Sequence, residues 1–171
     1  SLTQRDRSLV LVGLMGVGKT TVGRRLAKRL GLAFRDSDRE IEHSAGRSVS
    51  DIFNDFGEAA FREGERKVIA RLLDQETPMV LALGGGAFVD PETRALVKEK
   101  AVSIWLKADI DTLMDRVSRR DTRPLLRTED PRAVMERLLA ERGPLYQKAD
   151  IELESAGGTH QATVAKLIEA L

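Results

Sequence analysis

LVLVGLMGVGKTTVGRRL, residues 9–26, runs from a short apolar stretch through three glycines and a lysine into a basic segment with helical spacing. It matches G-x-x-x-x-G-K-[ST] at Gly13, Gly18, Lys19 and Thr20. A chance glycine turn would supply the glycines. It would not supply a strand (Leu9–Val12), the loop, Lys, Thr and a helix (Thr21–Leu30) in that order. Glycine lets the backbone curl until successive N–H groups converge on phosphate oxygens, and the following helix adds its positive end. Lys19 is then placed for the β- and γ-phosphates and the Thr20 hydroxyl for Mg²⁺. The reading is a nucleoside-triphosphate loop, with Gly16, Val17, Gly18, Lys19, Thr20 and Thr21 as its nucleotide contacts.

Working outward, short apolar runs alternate with longer amphipathic ones, the pattern of βα units on a parallel sheet. The expected strands are Leu9–Val12, Ala33–Arg35, Met79–Leu83, Val102–Leu106 and Ile151–Leu153. Asp90-Pro91 and Asp130-Pro131 each set an acidic N-cap before a proline whose missing N–H costs nothing there. Ser48 with Asp51 resembles a capping box. Phe61, Glu65, Val68, Ile69 and Leu72 recur at helical spacing, as do Val164, Leu167, Ile168 and Leu171. The fold class is α/β, with about five strands and helices between them. No domain boundary is placed inside it, so residues 1–171 read as one P-loop domain.

Composition narrows the function. The 28 Lys and Arg against 27 Asp and Glu leave a net charge of +1, so no global field attracts nucleic acid or an anionic membrane. Cysteine is absent, which excludes disulfides, thiolate catalysis and zinc–sulfur sites. No apolar run approaches the ~20 residues of a membrane span, and SLTQRDRSLV is followed by no signal-peptide core. The expectation is a cytoplasmic protein. A monomer is expected too, since no long apolar helix face asks for a partner.

Many nucleotide enzymes share the loop, so the rest of the chain must choose among them. The nearest string to a guanine reader is Leu106-Lys107-Ala108-Asp109, where Leu cannot do the work of Asn. The third strand, MVLAL, ends in Gly84-Gly85-Gly86 rather than in a metal-binding acid. The carboxylate must come from FRDSD, residues 34–38. In an extended chain Asp36 and Asp38 point to one side, at a strand end where ligand crevices lie. One carboxylate can then serve the metal while the other orients an acceptor hydroxyl. The plainer alternative is capping, with Asp38 ahead of Arg39-Glu40-Ile41.

Arginines complete the set. Glu65 lies three residues after Arg62 and can fix its guanidinium. Arg142 sits in ERGPLY, where Gly143-Pro144 is expected to end a helix. Gly84–Gly86 can offer N–H groups to an anion. Together they suit an acceptor bearing a carboxylate and hydroxyls. RVSRRDTRPLLRTEDP holds five arginines and suits a lid that closes over triphosphate, with Arg123 supplying charge to the moving phosphoryl group. No aromatics interleave there, against an RNA-binding patch. His43 and His160 read as solvated, Trp105 as a core strand residue, and Met15 as packing.

The set GLMGVGKTT, FRDSD, FREGE, LGGGAF, RPLL and ERGPLY, in this order and spacing, resembles bacterial shikimate kinase over residues 9 to about 153. The resemblance implies a five-stranded parallel sheet in the order 2-3-1-4-5, a substrate-binding region about 37–62, and a mobile lid about 116–128. It implies ATP-dependent phosphorylation of the shikimate 3-hydroxyl, in the route to chorismate and aromatic amino acids, with Mg²⁺. Lys19, Asp38 and Arg123 match the catalytic positions, and Thr20 and Asp36 the metal ligands. Arg62, Gly84–Gly86 and Arg142 match the shikimate contacts, together with Asp38. Arg116 matches the arginine on adenine, though Arg119 and Arg120 are close enough to substitute, and ESAGGTH is expected to border the adenine. Two rivals remain: a gluconate-kinase-like enzyme, which should lack FRxxE and the triple glycine, and a non-catalytic nucleotide-binding regulator.

Overall fold

A computed structural model describes residues 7–75, 77–118, 130–155 and 159–171. The elements run β1 (Ser8–Val12), α1 (Lys19–Leu30), β2 (Ala33–Asp36), α2 (Ser37–Ala45), α3 (Val49–Leu73), β3 (Met79–Ala82), α4 (Pro91–Lys100), β4 (Ala101–Lys107), α5 (Ile110–Ser118), α6 (Pro131–Tyr146), β5 (Ile151–Glu154) and α7 (His160–Ala170). The five strands form one parallel sheet in the order β2-β3-β1-β4-β5. All five expected strands are present, each within two residues of its expected ends.

Burial follows that order. β1 and β3 are buried throughout, as continuous apolar strands in a parallel sheet should be. The edge strands β2 and β5 alternate between half-buried and exposed. Leu9, Val10, Leu11, Val80, Leu81 and Ile104 are wholly inaccessible and form the centre of the main core with Val22, Leu26, Ile69 and Leu167 from the helices. Among the described residues no helix is long and apolar enough to cross a membrane.

Parallel register aligns the carboxyl ends of the strands. Asp36 pairs with Ala82, so the end of β2 lies beside the glycine turn that follows β3. β1 lies between β3 and β4, so the loop leaving it opens where successive connections turn to opposite sides.

Three local features shape the site. First, α3 is two helices in one, broken at Gly57 (φ 84°, ψ 171°). Its first part packs with α2 over a small separate cluster of Ile41, Ile52 and Phe61, flanked by Val49 and Phe53. Second, β2 ends at Asp36 and the chain turns straight into helix at Ser37. The extended Asp36–Asp38 geometry read from the sequence is therefore wrong, and so is the capping residue. Asp36 is the N-cap and accepts from the Asp38 and Arg39 N–H groups, while Asp38 sits in the first turn. Third, α6 does not end at Gly143-Pro144 but runs to Tyr146. Gly143 has no Cβ to meet the proline ring, and the helix needs few further bonds. The Gln147 N–H still closes on the Gly143 carbonyl at 3.0 Å.

The caps at Ser48, Asp90 and Asp130 form as expected, each side chain accepting from a backbone N–H of its helix.

Candidate active site

At the carboxyl ends of the strands lies a cleft of about 480 Å³. Its phosphate end is built by the loop between β1 and α1. α1 starts from Gly18, held at φ 99°, with no side-chain cap and no acid in its first turn. A helix end of this kind carries unpaired N–H groups and positive potential and lacks the anion that ordinarily offsets them. Lys19 donates back to the carbonyls of Gly13 (2.6 Å) and Leu14 (3.2 Å), which keeps its ammonium over the loop. Arg116, from α5, donates to the Val17 carbonyl at 2.8 Å, and Ser155 places its hydroxyl within 3.3 Å of the same oxygen. The loop is thus held from outside by β5 and α5.

Next to it, Thr20 donates to Asp36 across 3.1 Å. The Asp36 carboxylate divides its labour: Oδ1 caps α2 and Oδ2 faces Thr20. Among the described residues no group of three or more His, Asp or Glu side chains is arranged to hold a metal. The donor set fits Mg²⁺ nonetheless, because that ion takes one or two protein oxygens and completes its shell with phosphates and water.

The acceptor end is built on the glycine turn. A Cβ on Gly84 would lie 2.5 Å from Asp38 Oδ1, one on Gly85 3.1 Å from Arg142 Nη1, and one on Gly86 2.2 Å from Arg62 Nη2. Three consecutive glycines therefore each make room for one charged side chain. The Gly84 N–H, expected from sequence to face an anion, is spent on the Ser37 hydroxyl at 2.9 Å. Arg62 is held by Glu65 at 2.8 Å, the i,i+3 pair expected from FREGE. Its guanidinium also lies over the rings of Phe61 (5.2 Å) and Phe53 (6.0 Å). Glu65 is 1% exposed, and its pKa is raised above the ordinary glutamate value, chiefly by burial, against the opposing pull of Arg62.

Lys19, Thr20, Thr21, Asp36, Asp38, Arg62, Gly84–Gly86, Arg116, Arg142, Gly16 and Gly18 all line this one cleft, and Val17 is buried beneath it. Arg123, Arg119, Arg120 and the lid from 119 to 128 lie outside the described residues. The sequence reading missed three contributors. Ser37, wholly buried between the two aspartates, ties them to the glycine turn. His160, read as solvated, lines the cleft with its ring against Gly18, where an added Cβ would meet Cε1 at 2.7 Å. Tyr146 is fully buried and donates to the Gly85 carbonyl. All three lay inside quoted motifs, Tyr146 in ERGPLY, Ser37 in FRDSD and His160 in ESAGGTH, but no role was read for any of them individually. Met15 lines the cleft as well as packing on the core. His43 is exposed and Trp105 buried, as expected.

The family model described as "Shikimate kinase" matches residues 15–171. A curated shikimate kinase of Caulobacter vibrioides is 58% identical over 167 residues, covering 98% of this chain and 83% of its own length. Among solved structures, a shikimate kinase from Acinetobacter baumannii in complex with shikimate superposes with a TM-score of 0.92 at 36% identity, over 98% of this chain and 93% of that one. A gluconokinase from Sinorhizobium meliloti has a TM-score of 0.63 at 18% identity, over 98% and 97%, and shares the fold alone.

Proposed function

The chain belongs to the shikimate kinase family, and from that premise we propose that its cleft passes the γ-phosphoryl group of ATP to the 3-hydroxyl of shikimate. It is a phosphotransferase acting on an alcohol. The observation that carries the reading is the glycine turn: Asp38, Arg142 and Arg62 abut Gly84, Gly85 and Gly86 in the same cleft as an uncapped helix end.

In this reading the N–H groups of the loop and of α1 bind the phosphates, with Lys19 reaching the transferred group. Arg62 and Arg142 bind the carboxylate of the acceptor, which aligns its 3-hydroxyl with the γ-phosphorus. Asp38 takes the hydroxyl proton as the new O–P bond forms and the β–γ bridging bond breaks. Arg116 borders the nucleotide, and Arg123 supplies positive charge to the moving phosphoryl group. Thr20 and Asp36 would hold Mg²⁺, which would supply positive charge against the phosphates. Catalysis is chiefly positioning and electrostatics.

The proposal extends to a monomer in the cytoplasm, in the route to chorismate. Its support for the monomer is that Phe56 and Val89 are the only exposed large hydrophobics among the described residues. A coupled ADP-release assay with MgATP and a panel of hydroxy acids tests the function. Turnover with shikimate and not gluconate is expected. Turnover with gluconate alone overturns it in favour of the sugar-acid kinase, and no turnover with any acceptor overturns it in favour of the non-catalytic regulator.

A further inference from the structure

Tyr146 is the chain's one tyrosine, fully buried at the end of α6 and one helical turn beyond Arg142. Its ring packs 5.7 Å from that of Trp105 and 6.5 Å from that of Phe88. Packing alone would be met by phenylalanine, and a hydroxyl in such surroundings costs free energy unless it is bonded. Here it donates to the Gly85 carbonyl. Gly85 is also the glycine against which Arg142 lies.

The two arginines of the acceptor end are thus held differently. Arg62 has a carboxylate partner, Glu65. Arg142 lies instead against Gly85, whose carbonyl is held by the Tyr146 phenol. Burial pushes that phenol's pKa up against the pull of Arg142, so it stays a protonated donor. A neutral donor fixes this turn without setting a negative charge beside the guanidinium, which leaves the charge of Arg142 for an incoming anion.

We infer that Tyr146 is a positioning residue of the acceptor site: its hydroxyl pins the Gly85 carbonyl and so fixes the turn against which the Arg142 guanidinium is oriented to receive the acceptor's carboxylate. The inference rests on the proposed function and adds to it the device that keeps one of its two anion-binding arginines charged and aimed.

The test is Tyr146→Phe, alone and in an Arg142→Ala background, with shikimate binding measured by calorimetry beside steady-state kinetics. Expected in the single variant is a roughly five- to tenfold weaker shikimate Kd and KM, with the ATP KM and kcat within about twofold of wild type. In the Arg142→Ala background the same change should add nothing. Unchanged shikimate affinity in the folded variant, or an equal loss without Arg142, overturns the inference. Side-chain NMR of the wild-type arginines gives a check that needs no Tyr146 variant. A slowly exchanging Arg142 guanidinium supports the inference, and one averaged like the surface arginines overturns it. If the wild-type chain binds no shikimate at all, the function proposed above fails instead, a separate result.

Discussion

Arg62, proposed above to bind the acceptor's carboxylate, is held by Glu65, and Glu65 is buried with a raised pKa. As pH falls through that raised value, above the ordinary glutamate range, Glu65 takes a proton and releases the guanidinium. The effect on stability has the opposite sign. The folded chain binds this proton more tightly than the unfolded one, so Glu65's contribution to stability is greatest at low pH and lost as pH rises through the folded value. Glu65→Gln is therefore expected to raise the shikimate KM about tenfold at neutral pH. It should also abolish the rise in KM that the wild type shows on acidification; the profile of KM against pH reads both. Gly86 gives a second check at this scale. Its φ of −95° is open to any residue, so Gly86→Ala acts only through the collision with Arg62, 2.2 Å from the new Cβ. We expect a shikimate KM at least about tenfold higher with the ATP KM unchanged, measured by initial rates. Charged residues at this scale were legible because their spacing is chemical: FREGE announces its own ion pair. Ser37 and His160 were not, because a buried serine and a loop-facing histidine are defined by neighbours far along the chain.

At the scale of elements, the loop between β1 and α1 is held open by what it lacks. Gly13, at φ 148°, passes 2.7 Å (measured from an added Cβ) from the Leu106 carbonyl of β4. An alanine there would meet both a conformation L-residues avoid and a backbone atom that cannot step aside. Gly13→Ala is expected to destabilise the fold by about 2 kcal/mol or more, read as a lower denaturant midpoint with unchanged m-value. Elements were read well where start and stop signals are local, as at Asp90-Pro91 and Asp130-Pro131. They were misread where one residue has two uses. Asp36 ends a strand and caps the next helix at once, which leaves no extended stretch for Asp38. Pro144 looked like a terminus, but the glycine before it lets α6 run on to Tyr146.

For the molecule as a whole, the sheet order is what makes one cleft of distant segments. β1 delivers the phosphate loop at the centre, β2 and β3 bring Asp36 and the glycine turn beside it, and α6 returns with Arg142. Strand number and parallel class were legible from apolar runs and spacing. The order itself came from the family resemblance, since periodicity does not say which strands neighbour one another. The central claim is that a triphosphate and an anionic cyclic alcohol lie side by side in this cleft. A crystal structure of the chain with shikimate and a non-hydrolysable ATP analogue tests it most directly. The account predicts the terminal phosphate at Lys19, the carboxylate between Arg62 and Arg142, and the 3-hydroxyl facing Asp38. Shikimate bound away from Lys19, or absent at saturating concentration, would contradict it.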